Sequence, residues 1–308
     1  MKQFRVLLLL LLWTNVAHTY PNVALRGKAT MSTRYRDPLS SADNAIDGNV
    51  NSDYNHGSCA QTDEQTNPWW RLDLLDTYVI TSITITTRGD CCTDKLAGAE
   101  IRVGKSLQNQ GNSNPVVAHV NSPARLSQTF TFSDRSVEGR YVSVMIPGTS
   151  RVLQLCEVEV YGYHAPTGEN LAILGKATQS SVNDRRTAFL AIDGNRASSY
   201  HMCPHTEHDF SPWLRLDLGK TRRVFSVKVT NRVPNYERLN GAEIRIGDSL
   251  DNEGNSNPRC AVIQSIPGGF TQGFNCNGMD GRYVNIVIPG RVEYLHVCEV
   301  EVYGSVLD

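Results

Sequence analysis

The chain is written twice, and this duplication limits what it can fold into more than any other feature. Residues 22–30 read NVALRGKAT and residues 170–178 read NLAILGKAT. The strings AIDGN (45–49 and 191–195), PWWRLDL and PWLRLDL (68–74 and 212–218), GAEIRVG and GAEIRIG (98–104 and 241–247), GRYV (139–142 and 281–284) and CEVEVYG (156–162 and 298–304) repeat in the same order. Self-similarity along the whole of each half marks a duplicated domain rather than a short solenoid repeat. The offset between copies is 148 at Asn22, 146 at Asp47, 144 from Cys59 to Arg88, 143 at Gly98 and 142 from Gly139 onward. Each step is a deletion in the second copy and belongs in a loop. The organisation read from this is a leader (1–19), a first domain (20–162), a linker (163–169) and a second domain (170–308).

The framework segments read as strands. Residues 78–86 are rich in β-branched side chains, and residues 140–146, 224–230 and 282–288 alternate apolar with polar. Pro, Gly and Asn clusters separate them, and no segment shows a helical period. This pattern predicts an antiparallel β-sandwich or jelly roll in each copy. Trp69 and Trp213, inside strands, are expected to pack in or against the core, with sugar stacking as the sharper alternative. Lys plus Arg total 30 and Asp plus Glu total 31. This balance argues against nucleic acid and against a polybasic membrane anchor.

Lys2 and Arg5 precede an apolar run, Val6 to Trp13, that is too short to span a bilayer. It reads as a secretory signal peptide cleaved near Ala17 to Tyr20, so the protein is expected to be secreted, with no membrane insertion. Eight cysteines in an extracellular chain suggest disulfides. Cys59 and Cys156 duplicate together as Cys203 and Cys298, which points to Cys59–Cys156 and Cys203–Cys298. Cys260 and Cys276 occur only in the second copy and are expected to pair. Cys91 and Cys92 are then left to each other. An adjacent bridge demands a distorted peptide; free thiols are the alternative, disfavoured by an oxidising compartment.

Arg88-Gly-Asp-Cys-Cys92, the Trp-Trp-Arg-Leu-Asp strand and the Cys-Glu-Val-Glu-Val ending together resemble the F-type lectin (fucolectin) family, over both copies. The resemblance implies an all-β chain of two tandem eight-stranded jelly rolls of discoidin-like sandwich type. It implies a binder of terminal α-L-fucose, not an enzyme. The family's spaced motif places a His, then an Arg, an Asp and a second basic residue. In the second copy His205 and Arg232 carry it, with 26 residues between them, Arg238 as the second basic residue and Pro234 where the family has Asp. Tyr236 is expected to offer the apolar surface for the sugar. In the first copy the matching residues are Gln61 in the His position, Arg88, Asp90 and Lys95, with Cys91 and Cys92 as apolar surface and Tyr54 nearby. His56 is a remote substitute for the missing imidazole. Guanidinium groups suit the task because they present fixed forks of donors to sugar hydroxyls.

The resemblance also implies one structural Ca²⁺ per domain. The positions are Asn44, Asp47, Asn49, Ser58, Cys156 and Glu157 in the first copy, and Leu190, Asp193, Asn195, Cys298 and Glu299 in the second, several through backbone carbonyls. All-oxygen ligands fit Ca²⁺; a plain turn is the alternative reading of Asp-Gly-Asn. The expected partners are fucosylated glycans on microbial or host surfaces, in innate immune recognition or agglutination. A homo-oligomer, a trimer included, is compatible with this. The competing function is a discoidin-like module binding phospholipid or protein. It would need exposed apolar loop tips, and the loops read as polar, with Arg and His. The tripeptide Arg88-Gly89-Asp90 lies inside the sugar motif, and His201, Cys203, His205 and His208 are better explained by a disulfide and the sugar motif than by a metal.

Overall fold

The computed structural model describes residues 20–121, 126–132 and 137–307. The signal-peptide segment lies outside the described residues. The chain divides into two units, residues 1–163 and 164–308. Among the described residues regular structure consists of strands and short 3-10 turns, and no helix is long and apolar enough to cross a membrane.

Each unit is a two-layer sandwich built around one long bent strand. In the second copy that strand is Trp213–Thr230. Its first half, 213–217, pairs with Lys176–Gln179 on one side and with 283–287 on the other. Residues 283–287 pair in turn with Ala242–Gly247, and these with Arg259–Ile263. Its second half, 222–230, pairs with Glu299–Val306 and with 271–281. Counted layer by layer, five strand segments face three, because Trp213–Thr230 and Thr271–Val287 serve both layers. The first copy repeats this around Trp69–Thr86, which pairs with Lys28–Met31 and Val137–Met145. Its second half pairs with Ser127–Thr131 and Glu157–His164.

The repeated Arg-Leu-Asp-Leu motif is explained at the bend. Asp73 Oδ1 accepts from the Leu75 amide, and Asp217 Oδ1 from the Gly219 amide. Both acceptor turns place the second residue at positive φ, 68° for Leu75 and 81° for Gly219. The same carboxylates take two hydrogen bonds from the arginine of the Gly-Arg-Tyr-Val motif, Arg140 at 2.7 and 2.9 Å and Arg282 at 2.7 and 2.8 Å. Two sequence motifs are therefore one device that fixes the corner where a strand changes layers. Being partly exposed, each ion pair is screened by solvent and serves to fix the corner's geometry more than to stabilise it.

Strand alternation decides which tryptophan is inside. Trp70 is 1% exposed and donates its Nε1–H to the Ala42 carbonyl. Trp69, one residue earlier, points to the other face and lies under the Arg71 guanidinium at 5.6 Å; Trp213 is likewise covered by Arg215 at 5.1 Å. The expectation that Trp69 and Trp213 belong to the core is corrected: the core positions are Trp70 and Leu214. Replacing Trp70 with Ala should lower the stability of the folded chain by about 3–5 kcal/mol in urea unfolding. A loss below about 1 kcal/mol, the usual size at half-exposed sites, would contradict this placement.

Candidate functional site

The site lies where the long strand of each copy runs out into loops. The Cys156 amide donates to the Thr86 carbonyl, and the Cys298 amide to Thr230, both at 2.8 Å. The disulfides Cys59–Cys156 and Cys203–Cys298 therefore sit beside the strand ends that carry Arg88 and Arg232. Cys91–Cys92 and Cys260–Cys276 are the other two bridges. The His/Gln position is fixed from the opposite side. The Thr206 amide donates to the Leu295 carbonyl and the Leu295 amide to Thr206 Oγ1. Thr62 and Leu153 repeat both bonds in the first copy.

In the second copy this frame gathers two imidazoles and three guanidiniums. His205 is 5% exposed, and its Nδ1 lies 2.8 Å from the Thr206 carbonyl. A carbonyl only accepts, so Nδ1 carries the hydrogen and Nε2 keeps an acceptor lone pair. Burial, with the charges of Arg186, Arg232 and Arg238, pushes the His205 pKa down to about 4, so the ring is neutral. It stacks on His296 at 5.5 Å between centroids. Arg232 is 1% exposed; its Nε–H donates to the Pro234 carbonyl at 3.1 Å and its buried Nη1 has no hydrogen-bond partner. Burial and the neighbouring Arg186 and Arg238 lower its pKa. Arg186 and Arg232 both lie against the Tyr200 ring, at 4.1 and 4.9 Å. Arg238 lies over Tyr294 at 4.8 Å, with its Nε 3.5 Å from Glu293. A neutral acceptor nitrogen beside unmatched guanidinium donors is suited to hydrogen-bonding vicinal hydroxyls.

The first copy keeps the frame and changes the contents. Gln61 Oε1 accepts from Gln154 Nε2 at 2.7 Å and from Arg88 Nη1 at 3.4 Å. Asp90 grips Arg88 with both oxygens, at 2.9 and 2.7 Å, and also accepts from the Tyr54 amide at 3.1 Å. Arg88 holds the Asp90 carboxyl down to about 2. The guanidinium lies over Tyr54 at 4.4 Å, as Arg232 does over Tyr200. Tyr54 packs on the buried Cys59–Cys156 bridge, and its hydroxyl has no partner. Cys92 has φ 61°, and the turn Thr93–Leu96 that it opens carries Lys95, which is exposed.

Most of the positions read from the sequence therefore converge: His205, Arg232 and Arg238 in one copy, and Gln61, Arg88, Asp90 and Tyr54 in the other. Tyr236 is half-exposed at the start of the turn Tyr236–Leu239, where its carbonyl accepts from Asn231 Nδ2. The aromatic faces that meet the arginines belong to Tyr200 and Tyr294 instead. His56 is exposed and paired with Asp53 at 3.2 Å, so it does not replace the missing imidazole. The loops are also less polar than the sequence suggested, since Val233 and Phe270 are exposed beside each other's loop. Sequence reasoning missed Arg186, Tyr200, His296 and Gln154. The offsets contained a signal: Tyr54 maps to Tyr200, and the pair Gln61 and Gln154 maps to His205 and His296.

A glutamate opens the last strand of each copy, directly after the disulfide cysteine. Glu157 and Glu299 are fully buried; Oε1 of each accepts from a backbone amide, Gly48 at 3.2 Å and Gly194 at 3.1 Å. Oε2 of each has no partner. Burial, with Asp47 and Glu159 nearby, raises Glu157 to about 7; burial, with Asp193 and Glu301 nearby, raises Glu299 to about 8. Asp47 and Asp193 cap the Asn49 and Asn195 amides. Asn44 turns its side chain to the Leu39 and Cys59 carbonyls, and Ser58 Oγ donates to the Asp53 carbonyl. Among the described residues no group of three His, Cys, Asp or Glu converges. A cation here would rely on two carboxylates and on carbonyls such as those of Asn44, Asn49 and Cys156, or Leu190, Asn195 and Cys298. An orphaned buried carboxylate oxygen beside a second acid suits a divalent cation, so these residues fit the group.

The His205 geometry predicts that its imidazole holds the Nδ1–H tautomer and stays neutral until the pH falls to about 4. Because the folded value lies below the ordinary 6.5, this residue's contribution to stability is present above 6.5 and is lost as the pH falls toward 4. Histidine NMR titration checks this; protonation near 6.5 would contradict the buried placement.

Residues 44–144 and 190–286 match the NedA-like, galactose-binding domain family, one match per copy. Fucolectin-1 of Anguilla japonica is 52% identical over 143 residues, covering 45% of this chain and 79% of that protein. Fucolectin of Anguilla anguilla is 50% identical over 147 residues, 46% of this chain and 92% of that protein. The crystal structure of an F-lectin (fucolectin) from striped bass (Morone saxatilis) serum is 64% identical. It superimposes with a TM-score of 0.84, over 94% of this chain and all of that one. On duplicated sequence, sandwich and site alike, this chain belongs to the F-type lectin (fucolectin) family, and it is a lectin rather than an enzyme.

Proposed function

We propose that this chain is a secreted lectin that binds terminal α-L-fucose on glycans through two unequal sites, one per copy. The observation that carries this is the second-copy pair: a neutral His205 with a free acceptor nitrogen beside Arg232, whose buried Nη1 has no partner. The ring oxygen and adjacent hydroxyls of fucose accept from guanidinium donors, while one hydroxyl donates to Nε2. Tyr200 in the second copy, and the Cys91–Cys92 bridge in the first, offer apolar surface to the sugar's methyl side. The kinship with fucolectins supports the same reading. Two shallow sites on one chain raise avidity on multivalent surfaces, which suits microbial recognition or agglutination.

The reading includes one Ca²⁺ per copy. Glu157 with Asp47, and Glu299 with Asp193, would hold it, together with the carbonyls named above. Its contribution is to neutralise buried carboxylates and to tie the AIDGN loop to the last strand, so it acts on the frame and not on the sugar.

The full chain should be retained on fucose-agarose and eluted by free fucose. The double variant Arg88→Ala/Arg232→Ala should pass through while remaining folded by circular dichroism; retention of that folded variant would refute the assignment. Chelation by EDTA should lower the thermal midpoint by several degrees, about the effect of losing 1–2 kcal/mol in domains of this size. Added Ca²⁺ should restore it. A midpoint indifferent to EDTA would remove calcium from the account.

A further inference from the structure

The two copies differ most at the level of buried charge. In the first, the innermost guanidinium, Arg88, is neutralised by both oxygens of Asp90. In the second, Pro234 stands in that loop, and Arg232 has a backbone carbonyl as its hydrogen-bond acceptor. A second buried guanidinium is then added. Arg186, 4% exposed, occupies the position just before the loop cap Thr187, where the first copy has Ser40 before Ser41. Arg186 donates to the Tyr200 carbonyl, the Tyr200 hydroxyl and Asn183 Oδ1. Its Nε has no hydrogen-bond partner, with the exposed Asp184 carboxylate 3.9 Å away. Arg186 and Arg232 share the Tyr200 ring, and Arg238 stands at the rim with Glu293.

Two buried guanidiniums lie on one aromatic ring, each with an unmatched N–H, and the carboxylates paired with the cluster among the described residues, Asp184 and Glu293, stand at its rim, so the centre is short of negative charge. A neutral sugar supplies acceptors but no charge. An anionic partner adds a Coulombic attraction that a neutral acceptor lacks. We infer that the second-copy site selects fucosylated glycans carrying an anionic group, a sulfate ester or a carboxylate, close to the fucose, with Arg186 as the residue that confers the preference. The first copy, with Arg88 already matched by Asp90, has no such preference. This inference rests on the fucose reading of the same site.

The test uses the full chain carrying Arg88→Ala, so that binding reports the second copy. Three immobilised glycans are compared: a neutral fucosylated oligosaccharide, its sulfated form and its sialylated form. At low salt the sulfated or the sialylated glycan, or both, should bind about tenfold tighter than the neutral one, the scale of one added charge-assisted contact. Which of the two gains identifies the source of the anion. The advantage should shrink at about 0.5 M salt, where exposed charges are screened. Adding Arg186→Ser, which brings in the first copy's residue, should reduce the anionic-to-neutral affinity ratio to about one. Equal binding of all three glycans at low salt, or a ratio that survives Arg186→Ser, would overturn the inference while leaving the fucose reading intact. Binding of none of the three would overturn the fucose reading itself, and this inference with it.

Discussion

The guanidinium at the end of each long bent strand is the charge around which the rest of the site is arranged. Arg88 and Arg232 are carried into the loop end by strands pinned at the other end by Asp73–Arg140 and Asp217–Arg282. Burying such a group is expensive unless something compensates it. The first copy compensates internally, with Asp90 in a loop shaped by Cys91–Cys92. The second copy has neither that carboxylate nor that bridge, and places a histidine pair and a second arginine beside the first. Loop length, disulfide content and the His/Gln exchange are therefore one linked set of differences.

Duplication provides an internal comparison. The frame is the same in both copies: sandwich layers, corner ion pair, buried disulfide, paired Thr–Leu hydrogen bonds and orphaned glutamate recur position by position. The contents of the site vary against that constant frame. Gln61 and Gln154 are joined by one hydrogen bond, whereas His205 and His296 are stacked. Either pair fills the same buried place, but only the second offers an unshared imidazole nitrogen to a hydroxyl.

Much of this was legible in the sequence. Periodicity and turn residues revealed the strands, and the offsets revealed the two copies and the paired cysteines. The site triad of the second copy was readable from the resemblance, because His205, Arg232 and Arg238 stand close to the spacing of the family motif, in loop segments that flank the long strand. Trp69 was misplaced because a double tryptophan does not say which ring faces inward; that depends on the phase of the strand's alternation, which buries Trp70. Arg186 was hidden because its loop carries no motif and its role depends on Tyr200, fourteen residues away and brought over it by the fold. Tyr236 was favoured because it was near in sequence, whereas the rings that meet the arginines come from Tyr200 and Tyr294. The partnerless Glu157 and Glu299 read as ordinary strand residues until burial showed them to be unmatched.

The central claim is that one frame holds two unequal sugar sites. Isothermal titration of the intact chain with free L-fucose tests it most directly. The account predicts two sites per chain with distinct affinities and distinct enthalpies, since one offers an arginine already matched by a carboxylate and the other an unmatched one. An isotherm described by two identical sites, or the absence of heat at saturating fucose with the protein folded, would contradict it.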